Sequence, residues 1–537
     1  MTSAGTVLID GAGAREGDAA AVAAGDDRAT LMARAAGHLA RGVVASCDGA
    51  YGRHALVVVG RGDNGGDGWS AAPLLARRGM KVTVLAPDGL EAPGSPETVS
   101  AREAWLHAGG RAIVDPDRAP ARPDVVIDAV LGTGAAGPLR GAAVGSCAAV
   151  GRARDSGARV VACDLPSGVS ADDGSAAEGA VVADVTVTFG ALKRGLLLHP
   201  GAARAGRIVL GRLGASWRAP DGGWSALDPT SARAPARAPD DEKRRRGTVL
   251  VVAGGPSTAG AAVLAGRGAL AAGVGLLTVA TPAAVTSSVA AQQPAMMVLA
   301  LPSDAHGALS AGAEHALPDA DVVVAGPGLG IGAPVADLVR ALLERPVPLV
   351  LDADALNVVR DDPDVLARHA GPLVLTPHAR ELARLGGGSD AVDALTHRVT
   401  RAAPLAERLG ATLVVKGPGT LVVAPDGRHW VAPLGSPALA TGGTGDVLAG
   451  LVGAAIAADP DDVALSTARA VWWHAAAGVL AGARAGCRTD ASRVAEAIPA
   501  VLARLAGWPV PRPVSATGVE TLDVARFVDA LVEQGAR

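Results

Sequence analysis

Short, unbroken apolar runs recur along this chain, separated in most places by segments long enough for a helix. In the front half they are Ala55–Gly60, Lys81–Leu85, Asp124–Ile127, Arg159–Cys163 and Asp184–Phe189. In the back half they are Thr248–Ala253, Asp321–Ala325, Pro348–Leu351, Pro372–Leu375 and Thr412–Val415. A strand that is apolar at every position must be covered on both faces, and strands that alternate with helices form parallel sheets. The pattern therefore predicts an α/β chain of αβα layers. In the front half, Ala-rich amphipathic helices are expected at about Arg15–Gly25 and Thr30–Ser46. Ligands of such sheets sit outside the carboxyl ends of the strands, so the residues that close each run are the ones to inspect.

The 537 residues exceed what one core usually organises. Between positions 215 and 245 the rhythm stops, and Pro, Ala, Asp and Arg crowd together in a stretch that reads as a linker. This predicts domains at 1–214 and 246–510, followed by an extension at 511–537. In that extension Val524, Phe527, Val528, Leu531 and Val532 fall at helical spacing, which suits packing on the body or on a partner.

Composition removes several classes of function. The formal net charge is −4, and two Phe, one Tyr and eight Trp leave few rings for bases to stack on, so a nucleic-acid binder is not expected. Cys47, Cys147, Cys163 and Cys487 lie far apart, with neither a zinc spacing nor a disulfide framework. The first ten residues lack a basic start and a long apolar run. The uncharged stretch Val447–Ala458 is shorter than the ~20 residues that span a bilayer. The expectation is a cytoplasmic protein that binds small molecules, has no membrane or nucleic-acid partner, and assembles as a homo-oligomer.

Three strand ends in the front half carry polar groups. The first run closes in Gly60, Arg61, Gly62, Asp63, Asn64, Gly65, Gly66, Asp67 and Gly68. Glycines there allow a backbone to approach a ligand, and the next helix offers free N–H groups to an anion; a tight turn alone would also use glycines. Asn64 and Asp67 add oxygens able to hold a cation or a ribose. The second end is Asp128, followed by Gly132, Thr133, Gly134, Gly137 and Pro138; the third is Asp164, with Ser167 and Gly168 beyond it. A lone Asp in such a place is often a helix cap, but three such ends on one sheet edge point to a site.

In the back half the densest motif is Ala440, Thr441, Gly442, Gly443, Thr444, Gly445 and Asp446, leading directly into an apolar helix. Small residues and a helix N-terminus build an anion hole, and Asp446 is placed to take a proton from an attacking hydroxyl. Weaker signals close other strands: Gly326–Gly330, Asp352–Asn357, Thr376–His378 and Lys416–Thr420. Arginine has displaced lysine almost throughout, leaving only Lys81, Lys193, Lys243 and Lys416. A lysine kept beside a glycine turn, as at Lys416, argues for a compact ammonium.

The front-half motifs LMARAAG (Leu31–Gly37), GDNGGDG (Gly62–Gly68), DAVLGTGAAGPLRG (Asp128–Gly141), DLPSGVSADDG (Asp164–Gly174) and ADVTVTFGALKRG (Ala183–Gly195) together resemble the epimerase domain of the bifunctional NAD(P)H-hydrate repair enzymes. The back-half set GGPSTAGAAVLAG (Gly254–Gly266), GPGLG, LDADALN, TPHARE, KGPGT and ATGGTGDVLAG resembles the ADP-dependent dehydratase domain of the same family, from about Arg246 to Ala506. The resemblance implies a Rossmann-like first domain and a ribokinase-like second one.

Carried over by position, it implies hydrate contacts in the epimerase from Asp63, Asn64, Gly65, Gly66 and Asp67, from Gly132, Thr133, Gly134, Ala135, Ala136, Gly137 and Pro138, and from Asp164. A potassium ion is implied at Asn64, Asp128 and Ser167. In the dehydratase it implies hydrate contacts from Ala261, Gly328, His378 and Asp446, and nucleotide contacts from Lys416, Gly417, Pro418, Gly419, Thr420 and Gly445. ADP would be the co-substrate, as in bacterial-type members, with ATP, the donor of eukaryotic relatives, as the alternative, and Mg²⁺ between phosphate oxygens. Asp63 stands where the family usually has Asn, and Gly435-Ser436-Pro437 lacks the usual Asn. Asp164 and Asp446 are the expected catalytic groups for NADHX and NADPHX. A competing reading is a ribokinase-class small-molecule kinase with a nucleotide-sensing front half. A third, non-enzymatic reading makes the front half a protein-binding module, against which Asp164 and the implied ion ligands argue.

Overall fold

The structure is a computed structural model that describes residues 5–47, 49–236, 240–388, 397–485, 488–507, 519–521 and 523–536. The chain divides into two compact units, one comprising Val7–Trp224 with Pro511–Leu522, the other Met1–Thr6, Ser225–Val510 and Asp523–Arg537. Cys47, Cys147 and Cys163 are free thiols, and Cys487 lies outside the described residues.

The sheet of the Val7–Trp224 unit runs in the order Val519–Thr521, Arg207–Gly211, Val185–Phe189, Arg159–Cys163, Val125–Ala129, His54–Val59, Lys81–Leu85, Arg111–Ile113. Every pairing is parallel except that of Val519–Thr521. Alternate residues of His54–Val59 feed opposite cores. Ala55, Val57 and Val59 pack with Leu39, Trp69 and Leu75, whereas Leu56 and Val58 pack with Val126, Val150 and Val160. That two-sided burial is what an unbroken apolar run requires. Strand order reverses between His54–Val59 and Val125–Ala129, which opens a crevice at their carboxyl ends. Helices Gly11–Ala23 and Arg28–Ser46 appear close to where they were expected, each started by an Asp that accepts from a first-turn amide. A strand at Thr6–Ile9, with no apolar run long enough to announce it, pairs in parallel with Leu192–Lys193.

In the other unit the order is Met297–Leu301, Leu276–Pro282, Thr248–Val252, Val322–Ala325, Leu349–Leu351, Leu373–Leu375, Ala411–Val415, Leu421–Val423, His429–Val431, Trp224–Ala226. The sheet is parallel as far as Ala411–Val415, and Leu421–Val423 and His429–Val431 add antiparallel. Here the reversal falls between Thr248–Val252 and Val322–Ala325. Helices Ala259–Ala272 and Thr444–Ala458 cover this sheet, packed closely enough that a Cβ on Gly450 would lie 1.8 Å from the Ala265 carbonyl oxygen.

The stretch expected as a linker is largely packed. Trp217 is buried against Gly17 and donates its indole N–H to Asp18 at 2.9 Å. Leu227 and Ala232 lie in the core of the second unit, where their carbonyls accept from Trp472 and Trp473. A composition average misses these few anchors. Of the extension, 511–518 lies outside the described residues, and helix Asp523–Ala536 buries Val524, Phe527 and Leu531 on the body of the second unit. Val532 stays exposed, and Phe527 meets Trp472 edge-on at 5.1 Å.

Candidate active sites

In the first unit the three strand ends converge on one cleft of about 1150 Å³. Its walls include Gly62, Asp63, Asn64, Asp67, Gly132, Thr133, Gly134, Ala135 and Asp164, so most of the expected contacts share a single cavity. Gly65 and Gly66 have a different task. A Cβ on Gly65 would lie 1.9 Å from the Gly60 carbonyl oxygen, and one on Gly66 2.5 Å from Met32 and Thr98, so these glycines let the helix close on the strand loop. Ala136, Gly137 and Pro138 are exposed on the outer part of their loop. Helix Asp63–Ala76 starts at Gly62 with no side-chain cap, so its first amides remain available to a ligand.

Asp164 is the most constrained residue of the site. Its backbone is left-handed, with φ +65°. Its Oδ1 accepts from Thr188 Oγ1 at 2.9 Å, from the Phe189 N–H at 3.2 Å, and from Lys193 Nζ. Lys193 is buried and also donates to the Phe189 carbonyl at 2.8 Å and to Thr188 Oγ1 at 3.2 Å. Three donors fix Oδ1 of Asp164 in place, and Oδ2 has no hydrogen-bond partner among the described residues. Lys193 had no expected role. Its signal in the sequence is its survival, like that of Lys416, in an arginine-rich chain.

Asp67 behaves differently. Its carboxyl has one described contact, the Cys163 thiol at 4.0 Å. Burial first, then the negative charge of Asp164, push its pKa well above the ordinary carboxylate range. Asp128 is completely buried, and its oxygens accept from the Ser167 N–H at 2.7 Å and Ser167 Oγ at 2.6 Å. Burial raises it to about 6 despite those bonds. Asn64 Nδ2 donates to the Leu131 carbonyl, and the Leu131 N–H donates to Ser167 Oγ, so Asn64, Asp128 and Ser167 form one linked cluster.

In the second unit helix Thr444–Ala458 also begins at an uncapped glycine, Gly443, with φ +90°. Asp446 is partly exposed in its first turn. Burial and the nearby charge of Asp352 raise its carboxyl to about 7, against the pull of Lys416. Lys416 donates to the fully buried Asp352 at 2.6 Å, and its Nζ lies 3.5 Å from where a Gly445 Cβ would be. Burial would lower this ammonium, but Asp352, Glu381 and Asp446 surround it and hold its pKa above the usual value. Ala353, between Asp352 and Asp354, has φ +50°, an uncommon conformation for a residue with a Cβ. It turns one carboxyl to Lys416 while Asp354 accepts from the Gly330 N–H at 2.9 Å.

Gly328 and Ala261 adjoin: a Cβ on Gly328 would stand 2.9 Å from that of Ala261. His378 caps helix Ala379–Leu385. Its Nδ1 accepts from the Arg380 and Glu381 amides, while Glu381 accepts from the His378 N–H at 2.8 Å. Gly417 and Pro418 are exposed, and the Thr420 hydroxyl donates to the Gly417 carbonyl. Asp352, Glu381 and buried His474 had no expected role. His474 faces the Thr444 backbone from helix Val463–Ala485, and burial keeps it neutral by lowering its pKa to about 4.

Each unit thus sets acidic groups and an uncapped helix at the carboxyl edge of a parallel sheet, the arrangement of a two-domain enzyme acting on phosphorylated small molecules. A family model described as NAD(P)H-hydrate dehydratase matches residues 249–500, and one described as the YjeF-related protein N-terminus matches residues 28–195. The bifunctional NAD(P)H-hydrate repair enzyme of Moorella thermoacetica is 36% identical over 463 residues, covering 81% of this chain and 84% of that protein. Its counterpart from Gloeobacter violaceus is 38% identical over 493 residues, covering 89% and 94%. Among solved structures, the ADP/ATP-dependent NAD(P)H-hydrate dehydratase of Bacillus subtilis, co-crystallised with ATP and Mg²⁺, is 29% identical, covers 51% of this chain and 95% of its own, and has a TM-score of 0.44. The chain belongs to the family of bifunctional NAD(P)H-hydrate repair enzymes.

Proposed function

We propose that the Val7–Trp224 unit interconverts the R and S epimers of hydrated NADH and NADPH, and that the second unit dehydrates the S epimer at the expense of ADP, giving AMP and phosphate. The observation that carries the second activity is the pairing of Asp446, its carboxyl near neutrality, with the open amides at the start of helix Thr444–Ala458. Water is a poor leaving group. Asp446, as general base, takes the proton of the C6 hydroxyl, the hydroxyl oxygen attacks the terminal phosphoryl group of ADP and AMP leaves; the N1 electron pair then expels phosphate from C6, and loss of the C5 proton restores the C5=C6 double bond. The first-turn amides receive the charge that develops on the phosphoryl oxygens. Lys416, fixed by Asp352, adds positive charge beside them. Bound Mg²⁺ would neutralise donor phosphate charge; among the described residues no group of three or more His, Cys, Asp or Glu side chains is placed to hold a metal ion, so the donor's own phosphates would carry it.

In the first unit Asp164 is the base of epimer exchange. Among the described residues no basic side chain pairs with buried Asp128, and that uncompensated carboxyl, joined to Asn64 and Ser167, fits a monovalent cation. Potassium there would order the substrate loops electrostatically. Among the described residues no helix is long and apolar enough to cross a membrane, and we propose a cytoplasmic homo-oligomer, to be checked by particle mass and by fractionation. The deciding experiment incubates the chain with mixed epimers and ADP, ATP or neither, and follows the return of reduced-nicotinamide absorbance. Complete conversion of both epimers with ADP is expected. A stable phosphorylated product would instead indicate a kinase.

A further inference from the structure

We propose that Asp67 is the general acid of epimer exchange, giving its proton to the ring nitrogen while Asp164 takes the proton of the C6 hydroxyl. The proposal rests on the epimerase reading and adds a catalytic residue to it.

Both carboxyls line the same cleft, Asp67 from the first turns of helix Asp63–Ala76 and Asp164 from the end of strand Arg159–Cys163. Cys163, the residue before Asp164, brings its thiol to 4.0 Å from Asp67 Oδ2. The charged and titratable groups that face Asp67 are Asp63 on its own helix, Asp18 on helix Gly11–Ala23, Cys163, Asp164 and Lys193. The one cation among them, Lys193, has its ammonium committed to Asp164, Thr188 and the Phe189 carbonyl. Asp63 pairs with Arg28 at 2.8 Å and Asp18 accepts from Trp217, so of the two carboxyls nearest the strand ends Asp164 is bonded to a cation and Asp67 is not. Asp164 is tied to the Lys193 ammonium, whereas Asp67 keeps its proton, since burial and the charge of Asp164 both oppose its loss. A carboxyl that keeps its proton beside one bonded to a buried ammonium gives the cleft an acid and a base.

The reaction has a use for both. C6 of the hydrate bears a hydroxyl and the ring nitrogen, so it is a carbinolamine. Asp164 takes the hydroxyl proton, the oxygen electron pair forms the C=O bond, and the C6–N1 bond breaks with its pair moving to N1, which takes the proton of Asp67. Rotation about C5–C6 turns the other aldehyde face to the nitrogen. N1 then attacks C6 as it returns its proton to Asp67, and the new hydroxyl oxygen recovers the proton from Asp164. No electron acceptor or co-reactant is consumed, and both carboxyls finish as they began.

The test uses the full chain with epimer-enriched NADPHX and measures approach to the equilibrium mixture as a function of pH. The wild type should lose rate as pH rises through the Asp67 titration. Asp67→Asn should lower kcat by about 10²-fold or more with KM little changed, and should abolish the alkaline limb. Asp67→Glu should restore that limb. ADP-dependent dehydration of the S epimer by the same variants reports that the chain is intact. An Asp67→Asn enzyme that keeps its kcat or its alkaline limb overturns the proposal, and so does a wild-type rate that stays flat into alkaline pH, a result that needs no variant. Wild-type protein that exchanges no epimers removes the epimerase reading itself, and the proposal with it.

Discussion

The two sites use the same three parts in different order. In the first unit Lys193 neutralises Asp164 and leaves Asp67 without a counter-charge; in the second, Lys416 neutralises Asp352 and leaves Asp446 raised to about 7. The carboxyl expected to act as base is thus the paired one in the first unit and the unpaired one in the second. In both units burial first, and then the charge of the lysine-bound carboxyl, raises the neighbouring acid that the lysine does not bond.

The largest effect expected from breaking this comparison comes from Asp446→Asn. ADP-dependent return of reduced nicotinamide should fall by about 10³-fold or more, while epimer exchange in the same tube continues at the wild-type rate. Asp164→Asn should do the reverse, lowering exchange by about 10²-fold or more and leaving dehydration of pure S epimer unchanged. Equal losses of both activities in either variant would mean that the units are not chemically separate.

Lys193→Met sharpens the comparison by removing one member of a buried pair. It should cost about 3 kcal/mol, read as a lowered unfolding midpoint, together with slower exchange. For the second site, kcat/KM for dehydration should fall about tenfold per pH unit below about 7 and level off above it, because Asp446 acts as a base only when ionised. Lys416→Met should move that midpoint upward, since the lysine charge now holds it down. The smallest expected change follows replacement of potassium by sodium, a loss of a few-fold in exchange with none in dehydration.

Much of this was legible in the sequence, and the gaps have physical causes. Parallel strands buried on both faces announce themselves as unbroken apolar runs, so His54–Val59, Arg159–Cys163 and Ala411–Val415 appear within a residue or so of where they were expected. Met297–Leu301 is largely solvent-facing, and Leu421–Val423 and His429–Val431 are short antiparallel additions, so none carries that signal. Trp224–Ala226 was hidden by its Pro-rich and Ala-rich surroundings. Asp164 and Asp446 stand at the sheet edge where strand ends and glycine loops had placed them. Lys193 and Asp352 were visible as a retained lysine and a strand end, but their pairing was not, because a buried ion pair between residues far apart in sequence leaves no local pattern: Lys193 and Asp164 are 29 positions apart, and Lys416 and Asp352 are 64 apart.

The left-handed backbone at Asp164 has a further consequence. Asparagine and aspartate tolerate that conformation better than other residues with a Cβ, so the charge at this position can be lost while the turn survives. Aspartate and asparagine codons differ by a single base. With Asp164 in the role proposed for it, a folded but inert copy of the first domain lies one point mutation away, and an organism carrying it would gradually lose the share of damaged coenzyme trapped in the R form, even with abundant, well-folded protein.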